Sequence, residues 1–355
     1  MTNRMHSDSW TGSDRSQREA GSALVVALWV IALLSLLISA FAVDMHLEAR
    51  ITSYQKKRLK SEYLARAGIE RVEWLIAKSQ DVNPKEPDYE VISESWFPRA
   101  AQLKQASTLV IHEELGEGEM EISIKPEPAR RNVNQLSAND WRKVLEVGDI
   151  PEEMWDDLIA SVLDWMDGNN DKQDGGAEND YYESLEEPYK TKNGPLDTVE
   201  ELLLVKGFTR SILFGGPIDP DAEEGLNVSG IADMLTVFGD GKVNVNAAPH
   251  RVLMTLEGMT EVSADDLLAE RSGEYLEDDS DESPFFENMS DVFERVPGLA
   301  QQLSAVLTTV SQIYRVSSKG NWGEVDHRIS CIVQARPKGM RVIRWLEGDE
   351  FSREQ

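Results

Sequence analysis

The sequence predicts an α+β protein: an N-terminal transmembrane and amphipathic helix, then an antiparallel sheet that a large, mainly helical insertion interrupts. An apolar run without a charge covers residues 22–43. Apolar and polar residues alternate at 108–125 and again from residue 313 onward, which is typical of strands. The intervening residues 132–312 carry helix caps and helical periodicity. Strand patterns on both sides of a helical block predict one α+β domain with an insertion.

The apolar run is long enough to cross a membrane. At about 1.5 Å per residue, a helix over 22–43 spans a hydrocarbon core about 30 Å thick. Residues 44–78 contain no Pro and a single Gly, Gly68, so the helix is predicted to continue as an amphipathic stem. An alternative stays open, because Ala40-Phe41-Ala42 fits the cleavage pattern of a secretory signal. The length of the run and its helical continuation favour a retained anchor.

Short elements are predicted after the stem. Residues 81–98, rich in Pro and acidic side chains, predict a loop. The alternating pattern predicts strands, in chain order, at 108–114, 119–125, 313–318, 325–335 and 341–345.

The charge balance excludes one large class of partner. The net charge is −28 over 355 residues. Phosphate backbones repel a chain this acidic, so nucleic acid is not expected as a partner. Such a chain is suited to binding cations. The single cysteine, Cys331, allows no intrachain disulfide.

One acidic segment has the composition of a calcium loop. Asp167, Asn169 and Asp171 match loop positions 1, 3 and 5 of an EF-hand, and Glu178 matches position 12. Lys172 stands where an EF-hand has Gly, so the loop is not a regular EF-hand. A solvated acidic loop is the alternative. The predicted calcium ligands are the carboxylates of this segment: Asp167, Asp171, Asp174, Glu178 and Asp180.

The helical block contains a weak internal repeat. Asn132-Val133-Asn134 and Asn244-Val245-Asn246 each precede a turn of the helix-hairpin-helix type. Basic residues would be needed beside such turns to bind phosphate, whereas Glu146, Asp149 and Glu257 flank them here. Hairpins that serve packing alone are therefore favoured over DNA binding.

No catalytic group is evident in the sequence. The five histidines are scattered, without the spacing of a zinc site. Neither a nucleophile elbow nor a phosphate-binding Walker loop occurs. The sequence thus predicts no catalytic residues and no enzyme.

The N-terminus resembles the type IV prepilins, in which a polar leader ending in Gly precedes an apolar helix. The resemblance implies that prepilin peptidase cuts after Gly21 and methylates the new N-terminal residue, Ser22. Val26 then occupies the fifth mature position, where most pilins carry a Glu that pairs with a neighbouring subunit's amine. A subunit with Val26 cannot make that pairing.

A longer segment resembles the type II secretion system protein K family of minor pseudopilins. The residues that carry this resemblance are Asp164-Trp165-Met166-Asp167, Gly176–Tyr182 and Asn193-Gly194-Pro195. Members of this family characteristically lack the fifth-position Glu, so Val26 fits the family. The resemblance implies a pilin-like α+β domain with a helical insertion that binds calcium.

The resemblance also implies an organisation and a role. The predicted parts are a prepilin leader at 1–21, a transmembrane helix at 22–43, a stem at 44–79, a pilin-like domain at 80–131 and 313–355, and the helical insertion at 132–312. The implied role is to join minor pseudopilins I and J at the tip of a pseudopilus, next to the major pseudopilin. The bulk of the chain would then be periplasmic, behind one pass of the bacterial inner membrane. A calcium-dependent hydrolase and a helix-hairpin-helix DNA-binding protein are the alternatives.

Overall fold

The computed structural model describes residues 14–81, 96–105, 107–218, 225–274 and 283–347. The chain divides into two compact units, which meet between Lys60 and Ser61.

The first unit is the N-terminal part of one long helix, α1, which runs from Asp14 to Asp81. The large apolar side chains from Leu24 to Val43 are all between 48% and 69% exposed. Their best 18-residue window has a mean hydropathy of 2.8, and none of it is buried. By length and composition, α1 is therefore compatible with a single-pass membrane anchor.

The second unit contains a five-stranded antiparallel sheet with the strand order β1-β2-β9-β10-β11. Its strands are β1 (Leu109–Leu115), β2 (Gly118–Pro126), β9 (Ile313–Trp322), β10 (Val325–Arg336) and β11 (Gly339–Glu347). Strands β2 and β9 are neighbours although the insertion separates them in sequence. Their exposure alternates residue by residue, as the apolar–polar pattern predicts for a sheet with one buried face.

The last turns of α1 cover the buried face of this sheet. Ala65, Ile69, Val72 and Ile76 recur at helical spacing and join the sheet side chains in one apolar cluster. Close approach depends on glycine, because a Cβ at Gly320 would lie 2.2 Å from the Ser61 carbonyl oxygen. The stem and the sheet are thus packed with backbone against backbone.

The insertion between β2 and β9 has a core of its own, centred on buried residues such as Trp141, Tyr182 and Phe286. Its α-helices are α3 (Ala138–Val147), α4 (Trp155–Met166), α5 (Asn179–Tyr182), α6 (Arg210–Phe214), α7 (His250–Met254), α8 (Glu261–Ser272) and α9 (Met289–Arg295). Its two-residue strands are β3 (Arg131–Asn132), β4 (Gly216–Pro217), β5 (Asn227–Val228), β6 (Leu235–Thr236), β7 (Val243–Asn244) and β8 (Leu307–Thr308). Short 3-10 turns cover Glu127–Ala129, Val133–Gln135, Glu152–Met154, Val199–Leu204, Ala232–Met234 and Gln301–Ala305.

The two Asn-Val-Asn segments occupy equivalent places in two halves of the insertion. The Asn134 side chain bonds both backbone groups of Leu196, at 2.8 and 3.0 Å. The Asn246 side chain bonds both backbone groups of Phe286, at 2.9 and 2.8 Å. Each half therefore uses the last Asn of its motif to fix a segment that follows much later in the chain. This pattern supports an internal structural repeat, while the expectation that its turns serve packing alone stays a prediction.

A helix that the sequence did not predict, α2, covers Phe97–Lys104. The loop expected over 81–98 is therefore too long at its C-terminal end. Residues 82–95 lie outside the described part of the chain. Pro98 stands in the first turn of α2, where its missing N–H costs no hydrogen bond.

A buried ion pair joins the sheet to the insertion. Glu127, 2% exposed, accepts bonds from Arg315 Nε and Nη2 at 3.1 and 3.0 Å. Thr236 Oγ1 in β6 donates to the same carboxylate at 2.5 Å. Burial alone would raise the pKa of Glu127, but the hydrogen bonds and charge of Arg315 outweigh it and hold this pKa below its usual value.

Candidate metal centre

Three carboxylates converge at the C-terminal end of α4. Asp164, Asp167 and Glu178 each offer one oxygen atom, and these three oxygens lie within 4.8 Å of one another. Asp164 is fully buried and Glu178 is 4% exposed, whereas Asp167 is half-buried. Buried carboxylates this close repel one another unless a cation lies between them.

The local sequence positions two of the three directly. Asp164 and Asp167 stand three residues apart at the end of α4, so their side chains lie on one face of the helix. Asp167 ends the helix with extended backbone, and its Oδ1 accepts the Asn169 N–H at 3.0 Å. Asn169 Oδ1 accepts the Asp171 N–H at 2.6 Å. These consecutive turns bend the chain away from α4, as short Asx side chains commonly do.

The chain returns to α4 through a pair of glycines. Gly175 has φ +81°, which favours glycine, and a Cβ at Gly176 would lie 2.0 Å from Asp164 Oδ2. The Lys206 ammonium group donates to the carbonyl oxygens of Gly175 and Gly176 at 2.8 and 3.2 Å. Glu178 follows this pair of glycines and lies next to Asp164.

Glu178 is the residue of the cluster that most clearly lacks a partner. Both of its carboxylate oxygens are buried, and neither accepts a hydrogen bond from any described residue. The neighbouring hydroxyl of Thr191 donates to Asn179 Oδ1 instead, at 2.9 Å. Burial, followed by the charges of Asp164 and Asp167, raises the pKa of Glu178. An unpaired buried carboxylate is costly, so this cluster is a candidate site for a cation.

The donor set fits a hard cation. All three side chains offer oxygen, and calcium takes six to eight oxygens at about 2.3–2.6 Å. Two oxygens on opposite sides of such an ion stand about 4.6–5.2 Å apart, which matches the size of this cluster. Backbone carbonyls or water would complete the coordination.

The structure brings together only part of the predicted ligand set. Asp167 and Glu178 lie in the cluster, whereas Asp171, Asp174 and Asp180 are exposed and lie outside it. Asp164 is a member that the loop spacing missed. Its signal was the separation of three residues from Asp167 at a helix end, which places both carboxylates on one face.

The predicted processing residues lie in α1. The backbone of Gly21 and Ser22 is helical, and their side chains lie outside the described part of the chain. Val26 is 62% exposed, in line with the apolar side chains around it. Nothing polar marks this turn of the helix, so its surface offers van der Waals contacts alone.

The carboxylate cluster lies inside a segment that a family model matches. Residues 122–213 match the model described as "Type II secretion system (T2SS), protein K". This segment of the chain is thus similar to the protein K family. The resemblance to protein K predicted from the sequence is thereby confirmed.

Two curated relatives of the chain carry the name of that family. The chain is 23% identical over 236 residues to type II secretion system protein K of Pseudomonas aeruginosa, covering 61% of this chain and 68% of that one. It is 22% identical over 202 residues to putative type II secretion system protein K of Escherichia coli K-12, covering 56% and 60%. The chain thus spans three fifths of the length of the Escherichia coli relative.

A solved structure shares the fold. The chain aligns with the crystal structure of the GspK-GspI-GspJ complex from enterotoxigenic Escherichia coli with a TM-score of 0.56 and 13% identity. The alignment covers 84% of this chain and 99% of the solved one. The predicted α+β class, with its long N-terminal helix and antiparallel sheet, is confirmed.

Proposed function

We propose that this chain is a minor pseudopilin of a type II secretion system. The match of residues 122–213 to the protein K family model is the observation that supports this most strongly. An exposed apolar helix at the N-terminus of the same chain fits a subunit that starts in a membrane and then packs into a filament. The bulk of the chain would lie in the periplasm, behind one pass of the inner membrane.

The partners in this proposal are minor pseudopilins I and J. Its support is the shared fold with a GspK chain that was solved in complex with GspI and GspJ. The major pseudopilin and prepilin peptidase complete the set of partners. In this role the protein would need no catalytic group, and the chain would be a structural subunit rather than an enzyme.

Val26 suits a subunit at the tip of a filament. An apolar side chain at this position offers no carboxylate for the N-terminal amine of another subunit. A buried amine without a counter-charge is costly in lipid or in a packed filament core. The proposed subunit would therefore begin or cap a filament rather than extend it in both directions.

Calcium is the cation proposed for the cluster of Asp164, Asp167 and Glu178. The ion would offset three negative charges and hold the loop from Asp167 to Glu178 against α4. Its role would be structural, because the proposed function requires no reaction of a water molecule or a substrate at this ion. Calcium would thus fix the shape of the insertion.

The processing step provides a direct test. The chain should be produced with and without prepilin peptidase, and its intact mass measured. The proposal predicts loss of residues 1–21 and gain of one methyl group, only when the peptidase is present. A Gly21→Val variant should keep its leader and serves as the control.

The same mass measurement distinguishes the alternative of a secreted hydrolase. Cleavage after Ala42 would remove the whole apolar helix and leave a soluble product. That result, or an uncut chain in the presence of active peptidase, would overturn the pseudopilin proposal.

A further inference from the structure

The edge of the sheet at β11 combines two surfaces that are unusual in so acidic a chain. Strand β11 pairs with β10 on one side only, so among the described residues its outer backbone edge has no strand partner. Val342 and Trp345 are 40% and 39% exposed. Exposed edges of this kind are ready to pair with another strand.

A β-bulge determines which side chains of β11 lie on each face of the sheet. Arg341 stands opposite Gln334 and Arg344 opposite Ile332, and the register shifts between them. Because Gln334 and Ile332 lie on the same face of β10, the bulge turns both arginines to that face. Val342 and Trp345 stand opposite Val333 and Cys331, on the other face. One face of the edge therefore carries two arginines. The other carries Val342 and Trp345, and the Trp345 Nε1–H donates to Glu347 at 2.9 Å at its end.

The basic face borders a groove between the sheet and the insertion. The groove has a volume of about 650 Å³, and Arg344 and Leu346 of β11 line one wall. Arg210 and Phe214 of α6 line another, with the guanidinium carbon of Arg210 5.4 Å from the centre of the Phe214 ring. This volume lies in the range of ordinary ligand sites, about 300–1,000 Å³.

The arginines of this surface differ in their pairing. Arg251 pairs with Asp233 at 2.6 Å, and Arg315 with Glu127 at 3.0 Å. Among the described residues, Arg210, Arg341 and Arg344 form no ion pair. Asp197 lies within electrostatic reach of Arg344, but its carboxylate bonds Lys192 at 2.7 Å. Arg341 and Arg344 thus remain on this edge without an ion pair among the described residues, and Arg210 lies against Phe214 in the groove.

We propose that β11 binds an extended acidic segment of another protein as an added strand. The backbone of that segment would pair with the outer edge of β11. Its acidic side chains would face Arg341 and Arg344, and its alternate apolar side chains would lie beside Val342 and Trp345. Charge complementarity assigns the occupant, because Arg341 and Arg344 stand in a chain whose net charge is −28.

A peptide with alternating acidic and apolar residues is the probe, Asp-Phe-Glu-Val-Asp between glycines and fluorescently labelled. The binding partner is the full chain in detergent micelles, followed by fluorescence anisotropy. The acidic peptide should bind, and a peptide with Lys in place of each acid should not. Added salt should weaken the binding, because the arginines are exposed. Equal binding of the two peptides, or none, would overturn the proposal.

Two variants locate the site. Arg341→Gln with Arg344→Gln should weaken binding about tenfold, as expected for two exposed ion pairs. Arg142→Gln with Lys143→Gln removes two cations from the exposed side of α3 and should leave binding unchanged. If both double variants bind alike, the attraction is not specific to β11.

A backbone-modified peptide tests the strand pairing itself. N-methylation of alternate residues removes N–H donors and should weaken binding about tenfold or more. If the N-methylated peptide bound as tightly as the unmodified one, the proposed strand addition would be wrong. A chain that ends at Glu347 provides one more comparison. If only that shortened chain bound the acidic peptide, the chain's own C-terminal residues would occupy this surface in the full chain, and the proposal would be wrong.

Discussion

At the scale of single residues, Glu178 is the side chain on which the metal centre depends. The calcium-loop spacing placed it in the predicted site, because its place at the twelfth position of the loop is a property of the sequence alone. Its burial was not predictable, and neither was the lack of a hydrogen bond to either oxygen among the described residues, since both follow from the return of the chain through Gly175 and Gly176. Asp164 was missed because it stands on a helix rather than in the loop.

Replacing this carboxylate should have opposite effects with and without calcium. In chelator, Glu178→Gln removes a buried charge near Asp164 and Asp167, so its melting temperature should equal or exceed that of the unmodified chain. With excess calcium, the unmodified chain should gain about 5 °C and the variant little. Differential scanning calorimetry of the full chain in micelles measures both.

The exposed carboxylates of the loop provide the matched control. Asp174→Asn changes the charge as much but lies outside the cluster. It should keep the full calcium response. A control that loses the response as completely as Glu178→Gln would show that the ligand set is different from the three carboxylates described.

Glu127 controls a second residue-scale effect, which depends on pH. The pKa of Glu127 is held below its usual value, so the folded state binds fewer protons than the unfolded state in acid. Its contribution to stability is therefore complete above the unfolded pKa and is lost as the pH falls through the folded one. Glu127→Gln should cost about 3 kcal/mol at neutral pH, because it leaves Arg315 without its partner.

Urea unfolding at a series of pH values measures this effect. The difference between Glu127→Gln and the unmodified chain should shrink as the pH falls. Glu117→Gln, in the exposed turn between β1 and β2, is the control and should change stability little at any pH. A constant difference across the acid range would contradict the role given to the ion pair.

At the scale of elements, the sequence predicts the features that depend on a local pattern and misses those that depend on long-range contacts. The sequence pattern predicted all five strands of the sheet within a few residues, and in β2 and β9 the alternation follows the burial of one face. The helix α2 was not predicted, because the acidic and Pro-rich residues before it indicated a loop, although Pro98 suits a first helical turn. The two Asn-Val-Asn segments were visible as a repeat, but their bonds to Leu196 and Phe286 span 62 and 40 residues. No local pattern contains such contacts.

The two halves of the insertion should differ in their sensitivity to loss of this Asn. The Asn246 amide group also donates to Gln105 and Thr309, and the side chain is buried, whereas Asn134 is half-buried and bonds Leu196 alone. Asn246→Ala should therefore cost about 3 kcal/mol, and Asn134→Ala about 1 kcal/mol. Denaturant unfolding of the two variants compares them, and equal losses would contradict the account.

At the scale of the whole molecule, the N-terminal helix and the domains after it suit different environments. The helix surface from Leu24 to Val43 is apolar and exposed, whereas the rest of the chain carries all 64 of its acidic residues. This division was fully apparent in the sequence, because a long apolar run needs no tertiary contact to be recognised. The proteins that bind this chain were not apparent in the sequence, since the residues that contact another subunit follow no local pattern.

Assembly with minor pseudopilins I and J tests the central claim most directly. The full chain, matured by prepilin peptidase, should be mixed with purified I and J from the same secretion system and studied by size-exclusion chromatography with light scattering. The account predicts one complex with the mass of a single copy of each subunit, and the same complex from Asp174→Asn. Elution of this chain by itself, with I and J together in a separate peak, would contradict the account.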